Sequence, residues 1–137
     1  MPSIPDESQR LIESNLLKRL TEEAAVKFML FTYRDPSVPL DPEQRATVPA
    51  AVAAWCDEMD ARGVRLAGHV LGPLSEARTL RIREDELSVD DGPVSEQTLQ
   101  IAGFNILECA DLDEALEVAS KNPGASFGVL ELRAIEE

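Results

Sequence analysis

The feature that most constrains this sequence is a turn spelled Asp91-Gly92-Pro93, which joins two segments of strand character. An Asp side chain can cap its own backbone, Gly accepts a positive φ angle, and Pro fixes φ while removing a backbone donor. The stretch from Val89 to Phe104 carries the chain from one strand through this turn to the next. It therefore indicates an architecture with paired strands, and it names no substrate.

The composition is that of a single globular domain. The chain has 137 residues, of which 44% are hydrophobic and 28% charged, so a substantial core is possible. Its 26 acidic and 13 basic residues give a formal net charge of −13, which repels phosphate backbones and anionic lipid headgroups. No apolar run approaches the roughly 18 residues of a membrane span, and the N-terminus has no signal-peptide pattern. We therefore expect a cytoplasmic protein that binds neither nucleic acid nor membranes.

Hydrophobic periodicity divides the chain into an N-terminal helical extension, residues 1–25, and one domain, residues 26–137. Residues 8–24 have the spacing of an amphipathic helix, which would cover apolar surface on its own domain or on a partner subunit. Within the domain we predict strands at 26–33, 64–71, 79–83, 87–89, 103–109 and 126–135.

Two helices are predicted in the domain. Asp41 is the expected N-cap of the first, with Pro42 at its first position and Gln44 completing a capping box, and Asp111 is the expected N-cap of the second. Pro49 cannot donate a backbone hydrogen bond, so we expect a kink or a break close to it. The apolar spacing of the first helix predicts a buried stripe of Val48, Val52, Trp55 and Met59.

The elements follow the order strand, helix, strand, hairpin, strand, helix, strand, which is the split βαβ order of a ferredoxin-like α+β sandwich. We therefore predict an antiparallel sheet with both helices on one face. The opposite face would be a large apolar patch if it met water, since it would carry Met29, Phe31, Tyr33, Phe127 and Val129. A homodimer that packs sheet against sheet about a two-fold axis is the simplest way to cover it.

The turn, the Arg-Thr-Leu-Arg-Ile-Arg segment before it, and Glu96, Gly103 and Phe104 after it occur in an order that resembles the YCII-related family. The resemblance runs from about residue 26 to residue 135 and is closest to a subgroup named for an Asp-Gly-Pro-Phe motif, whose last position is Val94 here. It implies a dimeric α/β barrel, in which two such sheets pack together. Most members of the family have no established reaction.

His69 and Asp91 are the candidate catalytic residues. His69 is the single histidine of the chain, and histidine is the side chain best suited to proton transfer near neutral pH. The resemblance implies that related sequences hold a His or a Glu at the same strand position. A lone strand histidine is also commonly a hydrogen-bonded structural group. Asp91 could orient His69 or bind a polar ligand at a pocket rim, or it could simply cap its own turn, which is the role we favour.

Some YCII-like proteins resemble enzymes that use a His and Asp pair, with the Asp just before a Pro at the end of the last helix. This chain has Asn122 before Pro123 at that place, and its first long helix contains no histidine. An amide cannot accept a proton as a carboxylate does. The departure argues against a His–Asp mechanism here.

Tyr33, Arg81 and Glu96 are the candidate ligand-binding residues. Arg81 and its neighbours on alternate strand positions could bind an anionic group through their guanidinium forks, or could pair with the surrounding acids. Glu96 could act with Asp91, or it could be a solvated acid. One histidine and two distant cysteines, Cys56 and Cys109, do not form a metal site, and no glycine-rich phosphate loop is present. We expect no metal and no cofactor.

Two functions of different classes remain. The first is a small-molecule binding or accessory module with a pocket between sheet and helices, in which His69 and Asp91 are polar lining. The second is an enzyme of lyase or isomerase type, with His69 as general acid or base and an arginine orienting an anionic group of the substrate. We favour the first, and the sequence does not decide whether the protein is an enzyme.

Overall fold

The computed structural model describes Arg10 and residues 25–137. The predicted N-terminal helix at 8–24 lies, apart from Arg10, outside these residues. The strands are β1 (Val26–Arg34), β2 (Arg65–Val70), β3 (Arg78–Arg83), β4 (Glu86–Asp91), β5 (Gln100–Cys109) and β6 (Gly128–Ala134). The helices are α1 (Pro42–Ala61), α2 (Leu112–Ser120) and the short α3 (Gly124–Phe127), with a 3-10 turn at Leu74–Glu76.

The fold is of the α+β class with antiparallel sheets. Four strands form one sheet in the order β2-β5-β1-β6, and every neighbouring pair in it is antiparallel. Strands β3 and β4 form a separate two-stranded ribbon. The central strands β1 and β5 therefore have partners on both edges, and they supply most of the sheet's buried side chains.

The core lies between one face of the four-stranded sheet and the helices. Alternate residues of the central strands point into it, because successive side chains of a strand face opposite sides. The Trp55 indole Nε1 also donates a hydrogen bond of 3.0 Å to the carbonyl of Val118, which joins α1 to α2 inside the core. The buried apolar cluster is Phe28, Leu30, Trp55, Met59, Val64, Leu107, Cys109, Ala115, Val118 and Ala119.

Helix α1 begins as predicted. The Asp41 carboxylate accepts from the backbone N–H of Gln44 at 2.7 Å, and the Gln44 side chain accepts from the backbone N–H of Asp41 at 3.0 Å. The helix then continues through Pro49 to Ala61, so the break expected from Pro49 is absent. One missing donor costs a single helical hydrogen bond, whereas burial of the C-terminal half against the sheet stabilises the whole segment.

The predicted buried stripe of α1 is buried only in its second half. Trp55 and Met59 are buried, whereas Val48 and Val52 stay partly exposed. Their part of the helix faces an open space rather than packed side chains. This space is the most informative feature of the fold for function.

The opposite face of the sheet has the apolar character expected of it. Phe31 pairs with Phe104 and Met29 with Ile106 across β1 and β5, and these four side chains are partly buried. Phe127 was also expected on this face, but it belongs to α3 and lines the space beneath α1. The chain turns through a short helix before β6 begins, so the predicted strand at 126–135 starts two residues later, at Gly128.

The ribbon of β3 and β4 has an apolar face of its own. Its turn is Glu84-Asp85, and both residues adopt positive φ angles, 51° and 65°, as a two-residue hairpin turn requires. Register places Leu80 opposite Val89 and Ile82 opposite Leu87, and all four side chains are exposed. Within the described residues, no helix combines the length and hydropathy needed to cross a bilayer.

Arg62 and Glu117 fasten the C-terminal end of α1 to α2. The Arg62 guanidinium donates to the Glu117 carboxylate through Nη1 at 3.2 Å and Nη2 at 2.8 Å, and Lys121 lies 2.9 Å from the same carboxylate. The hydrogen bonds from Arg62, followed by that from Lys121, lower the pKa of Glu117 from 4.5 to about 2. The same contact raises the pKa of Arg62.

This pair predicts a pH dependence of stability. A carboxyl whose pKa is lower in the folded chain stabilises the fold above its unfolded pKa, and it loses that contribution as pH falls from about 4.5 toward 2. Glu117→Gln should therefore melt below wild type at pH 7, and the two melting temperatures should converge as the pH approaches 2. Glu96→Gln, at an exposed acid, is the control and should follow the wild-type curve. A constant difference between Glu117→Gln and wild type from pH 7 to pH 2 would contradict this interpretation.

Candidate functional site

A cavity of about 640 Å³ lies between α1 and the inner face of the sheet. Its roof is aliphatic and aromatic, formed by one side of α1 with Val48, Val52 and Trp55. Its floor comes from β1, β2 and β5, and α3 together with the loop after β1 closes its sides. The other lining residues that matter chemically are Thr32, Arg34, Asp35, Arg45, Cys56, Arg65, Gly68, Gly103, Asn105, Asn122 and Phe127.

Two strand glycines keep the floor of this cavity low. Gly68 pairs with Asn105 in the sheet register, and a Cβ added to Gly68 would lie 2.1 Å from the Asn105 Oδ1 atom. Gly103 pairs with Thr32, and its Cβ would lie 2.9 Å from the His69 carbonyl oxygen and 3.1 Å from the Thr32 hydroxyl. The side chains of Asn105 and Thr32 therefore lie over the two glycines and do not extend toward α1, so the cavity stays open.

Arg65 holds the Asn105 carboxamide in a fixed orientation. The Arg65 Nε–H donates to Asn105 Oδ1 at 2.8 Å, and its Nη1 donates to the two carboxylate oxygens of Asp60 at 3.0 and 3.3 Å. Asn105 is 9% exposed, so the contact lies at the boundary of core and cavity. A charge-assisted hydrogen bond of this kind is stronger than one between neutral groups.

Asn122 is fixed in the same way at the α3 end of the cavity. It is 5% exposed, and its Oδ1 accepts from the backbone N–H of Gly124 at 2.7 Å. This bond closes the turn that leads from α2 into α3. Asn122, which the sequence marked only by its lack of a carboxylate, thus lines the cavity.

The rim carries more positive than negative charge. Arg34, Arg45 and Asp35 lie there, and Arg45 Nη2 donates to the Leu40 carbonyl at 3.3 Å. Asp35 accepts from the Ser37 hydroxyl at 2.6 Å and from its N–H at 3.0 Å, and these bonds, the hydroxyl first, lower the pKa of Asp35. Among residues 25–137, no carboxylate lies within ion-pair distance of Arg34 or Arg45.

His69 is among the residues that line the cavity, and strand alternation directs its ring toward the other side of the sheet. Its neighbour Gly68 faces α1, so His69, one residue later in the strand, faces the other side of the sheet. There its ring packs against Phe104, its register partner, with ring centroids 5.8 Å apart and an interplanar angle of 56°. The ring is exposed on that face.

Asp91 lies on the ribbon, outside the cavity lining. It forms an ion pair with Arg78, whose Nε is 3.2 Å from its Oδ1, and its side chain is 89% exposed. Gly92 has the positive φ angle expected of it, 104°. The turn is closed by Thr79, whose hydroxyl donates to the Gly92 carbonyl at 2.9 Å, rather than by the Asp91 side chain. Within residues 25–137, no hydrogen bond joins Asp91 to His69.

The three candidate ligand-binding residues are dispersed. Arg81 pairs with Asp90 at 3.4 Å on the ribbon, and Glu96 is exposed in the following loop. Tyr33 borders the cavity, yet its hydroxyl donates to Glu131 at 3.0 Å, which is the main cause of the raised pKa of Tyr33. The structure thus brings together none of these three, and their proposed roles remain predictions.

The cavity residues Thr32, Arg65 and Asn105 were missed by sequence reasoning. The available signal was the pair of glycines inside predicted strands, since such glycines mark bulges or places where another group approaches closely. Cys56 lines the cavity and Cys109 is buried, and within the described residues neither forms a disulfide. Among the described residues, no three His, Cys, Asp or Glu side chains are grouped so as to hold a metal ion.

The domain is therefore of the α+β class, with antiparallel sheets and a cavity beneath its long helix. Residues 26–137 match the YCII-related domain, so the chain belongs to the YCII-related family. It is also similar to an uncharacterised protein of Rhizobium meliloti (strain 1021), at 35% identity over 103 residues, which covers 63% of this chain and 83% of that protein. Neither comparison names a reaction.

Proposed function

We propose that the chain is a small-molecule binding module and that the ligand occupies the cavity between α1 and the sheet. The observation that carries this proposal is the cavity itself, whose volume of about 640 Å³ falls in the range of about 300–1,000 Å³ typical of ligand sites. It also combines an apolar roof with a few fixed polar groups on its floor. In ligand sites the apolar lining buries most of the ligand, and the polar groups fix its orientation.

The binding function is favoured over an enzyme that uses His69. General acid–base catalysis needs the catalytic group within hydrogen-bond reach of the reacting atom. The His69 ring packs on Phe104, on the opposite side of the sheet from Asn105 and the cavity floor. A substrate in the cavity would therefore meet the backbone of His69 and not its imidazole.

The test is to fill the cavity and to look for a molecule that co-purifies with the protein. We expect wild type to retain a small-molecule adduct in native mass spectrometry, and Val52→Trp, which adds a large side chain to the roof, to lose it. His69→Gln is the matched control on the other side of the same sheet, and it should retain the adduct. Loss of the adduct in His69→Gln, with Val52→Trp unchanged, would move the site to the opposite face and support the enzyme hypothesis. Absence of any adduct, together with no response to added small molecules, would refute the binding function.

The second part of the proposal concerns assembly. The strand order β2-β5-β1-β6, with β3 and β4 as an insert, supports a ferredoxin-like split βαβ topology in the Asp-Gly-Pro-Phe subgroup. The apolar side opposite the helices, formed around Phe31 and Phe104, is proposed to pack on the same surface of a second copy, as in a dimeric α/β barrel. The exposed apolar face of the ribbon adds further surface that such a partner could cover.

A further inference from the structure

Two buried asparagines line the cavity, Asn105 and Asn122. In each, the amide oxygen accepts a hydrogen bond and the amide nitrogen donates none within the described residues. Arg65 Nε and the backbone N–H of Gly124 can only donate, so Asn105 and Asn122 must each turn the oxygen toward them. The NH₂ group of each side chain then points the other way. Neither NH₂ group has an acceptor among the described residues, and the orientation of both amides follows from their fixed partners.

Both amide nitrogens are accessible rather than enclosed. No fully enclosed polar side-chain atom of the described residues lacks a hydrogen-bond partner, so these two nitrogens must reach open space, and both residues line the cavity. The Thr32 hydroxyl and the Arg65 Nη2 group also have no hydrogen-bond partner within residues 25–137. The polar groups around the cavity are therefore mainly donors, and the matching ligand group is an acceptor.

The charge of the surroundings favours an acceptor that is negative. Arg34 and Arg45 stand at the rim without a carboxylate partner in the described part of the chain, although acidic residues outnumber basic ones 26 to 13. Asp35 is the one acid among the lining residues, and its Oδ1 accepts from Ser37, so one negative charge stands against the two rim arginines. Hydrogen bonds to a charged acceptor are stronger than those to a neutral one.

We propose that the cavity receives the carboxylate of a small acid with an apolar body, held by the amide N–H groups of Asn105 and Asn122; this rests on the binding function proposed above. The aliphatic roof suits a hydrocarbon chain or ring. A phosphate group would require a denser set of donors, such as free backbone N–H groups at a helix start. At α1 that set is reduced, because Asp41 already caps the Gln44 N–H.

The experiment titrates ¹⁵N-labelled protein with hexanoate, with its neutral analogue hexanamide and with inorganic phosphate. Hexanoate should bind at least about tenfold more tightly than hexanamide and shift the side-chain amide signals of Asn105 and Asn122. Asn122→Asp keeps the oxygen that accepts from Gly124 but replaces the donors by a negative charge, so it should weaken hexanoate at least about tenfold. Circular dichroism establishes that the variant is still folded, and Asn105→Asp, which keeps the contact with Arg65, should weaken hexanoate likewise.

Other results would refute the carboxylate site, the ligand class or the binding function separately. Equal affinities for hexanoate and hexanamide, or unchanged hexanoate binding in both Asp variants, would refute the carboxylate site and leave the binding cavity intact. Tighter binding of phosphate than of hexanoate would refute the proposed ligand class. Failure of every probe, charged and neutral, to perturb the cavity residues would refute the binding function and this inference together.

Discussion

Gly68→Ala should destabilise the protein by about 1–3 kcal/mol and abolish ligand binding in the cavity, because the new methyl group has no room. Its Cβ would lie 2.1 Å from Asn105 Oδ1 and 2.8 Å from Asn105 Cγ, and Asn105 is too short a side chain to yield without rotating. Rotation would break the hydrogen bond from Arg65 and leave a buried polar group unpaired. Urea unfolding gives the change in the free energy of unfolding.

The matched control for this prediction is Gly72→Ala. Gly72 lies just after β2, and the nearest atom to its added Cβ is Glu76 Oε2 at 3.5 Å, an ordinary van der Waals contact. Its free energy of unfolding should stay within about 0.5 kcal/mol of wild type. Equal stability of wild type and the two variants would show that the Asn105 carboxamide does not lie over Gly68 in solution.

Phe31→Asp should convert a dimer into a monomer. Phe31 lies on a central strand and pairs with Phe104 on the face proposed to meet a second copy. A two-fold interface would repeat the substitution in both subunits and bury two unpaired carboxylates, which costs several kcal/mol. Light scattering over a dilution series should show twice the chain mass for wild type and the chain mass for the variant.

Leu116→Asp provides the control for the dimer prediction, since Leu116 is 51% exposed on α2, on the helix side of the sheet. It adds the same charge away from the proposed interface and should remain dimeric. Circular dichroism would establish that Phe31→Asp is still folded, and Phe104→Asp offers a second substitution on the same face. A wild-type chain that is monomeric at every concentration would contradict the dimer, and residues 1–24 would then be the candidate cover for this face.

Local rules of the sequence predicted most of the elements. The capping box at Asp41 and Gln44, the hairpin between the predicted strands 79–83 and 87–89, and the N-cap at Asp111 are all present, the last accepting from Glu114 N–H at 2.8 Å. These features depend on neighbours in the chain, so one sequence contains the information. Of the kink or break expected near Pro49, the break is absent, because distant packing of α1 outweighs one lost hydrogen bond.

The candidate site was less accessible to sequence reasoning. His69 attracted attention as the single histidine, but the face to which its ring points depends on the strand register, which places it opposite Phe104. Arg65 and Asn105 are 40 residues apart in sequence and meet only because β2 pairs with β5. Asn122 was noted only because it replaces an expected carboxylate, and the orientation of its amide follows from a backbone contact that no sequence pattern displays.

The most direct test of the account is a crystal structure of the protein grown with hexanoate. We expect an open space between Val52 and the Gly68–Gly103 floor, with the hydrocarbon chain under α1 and the carboxylate against the amides of Asn105 and Asn122. A structure in which α1 packs directly on the two glycines would contradict it. So would hexanoate bound beside the His69 ring, on the other face of the sheet.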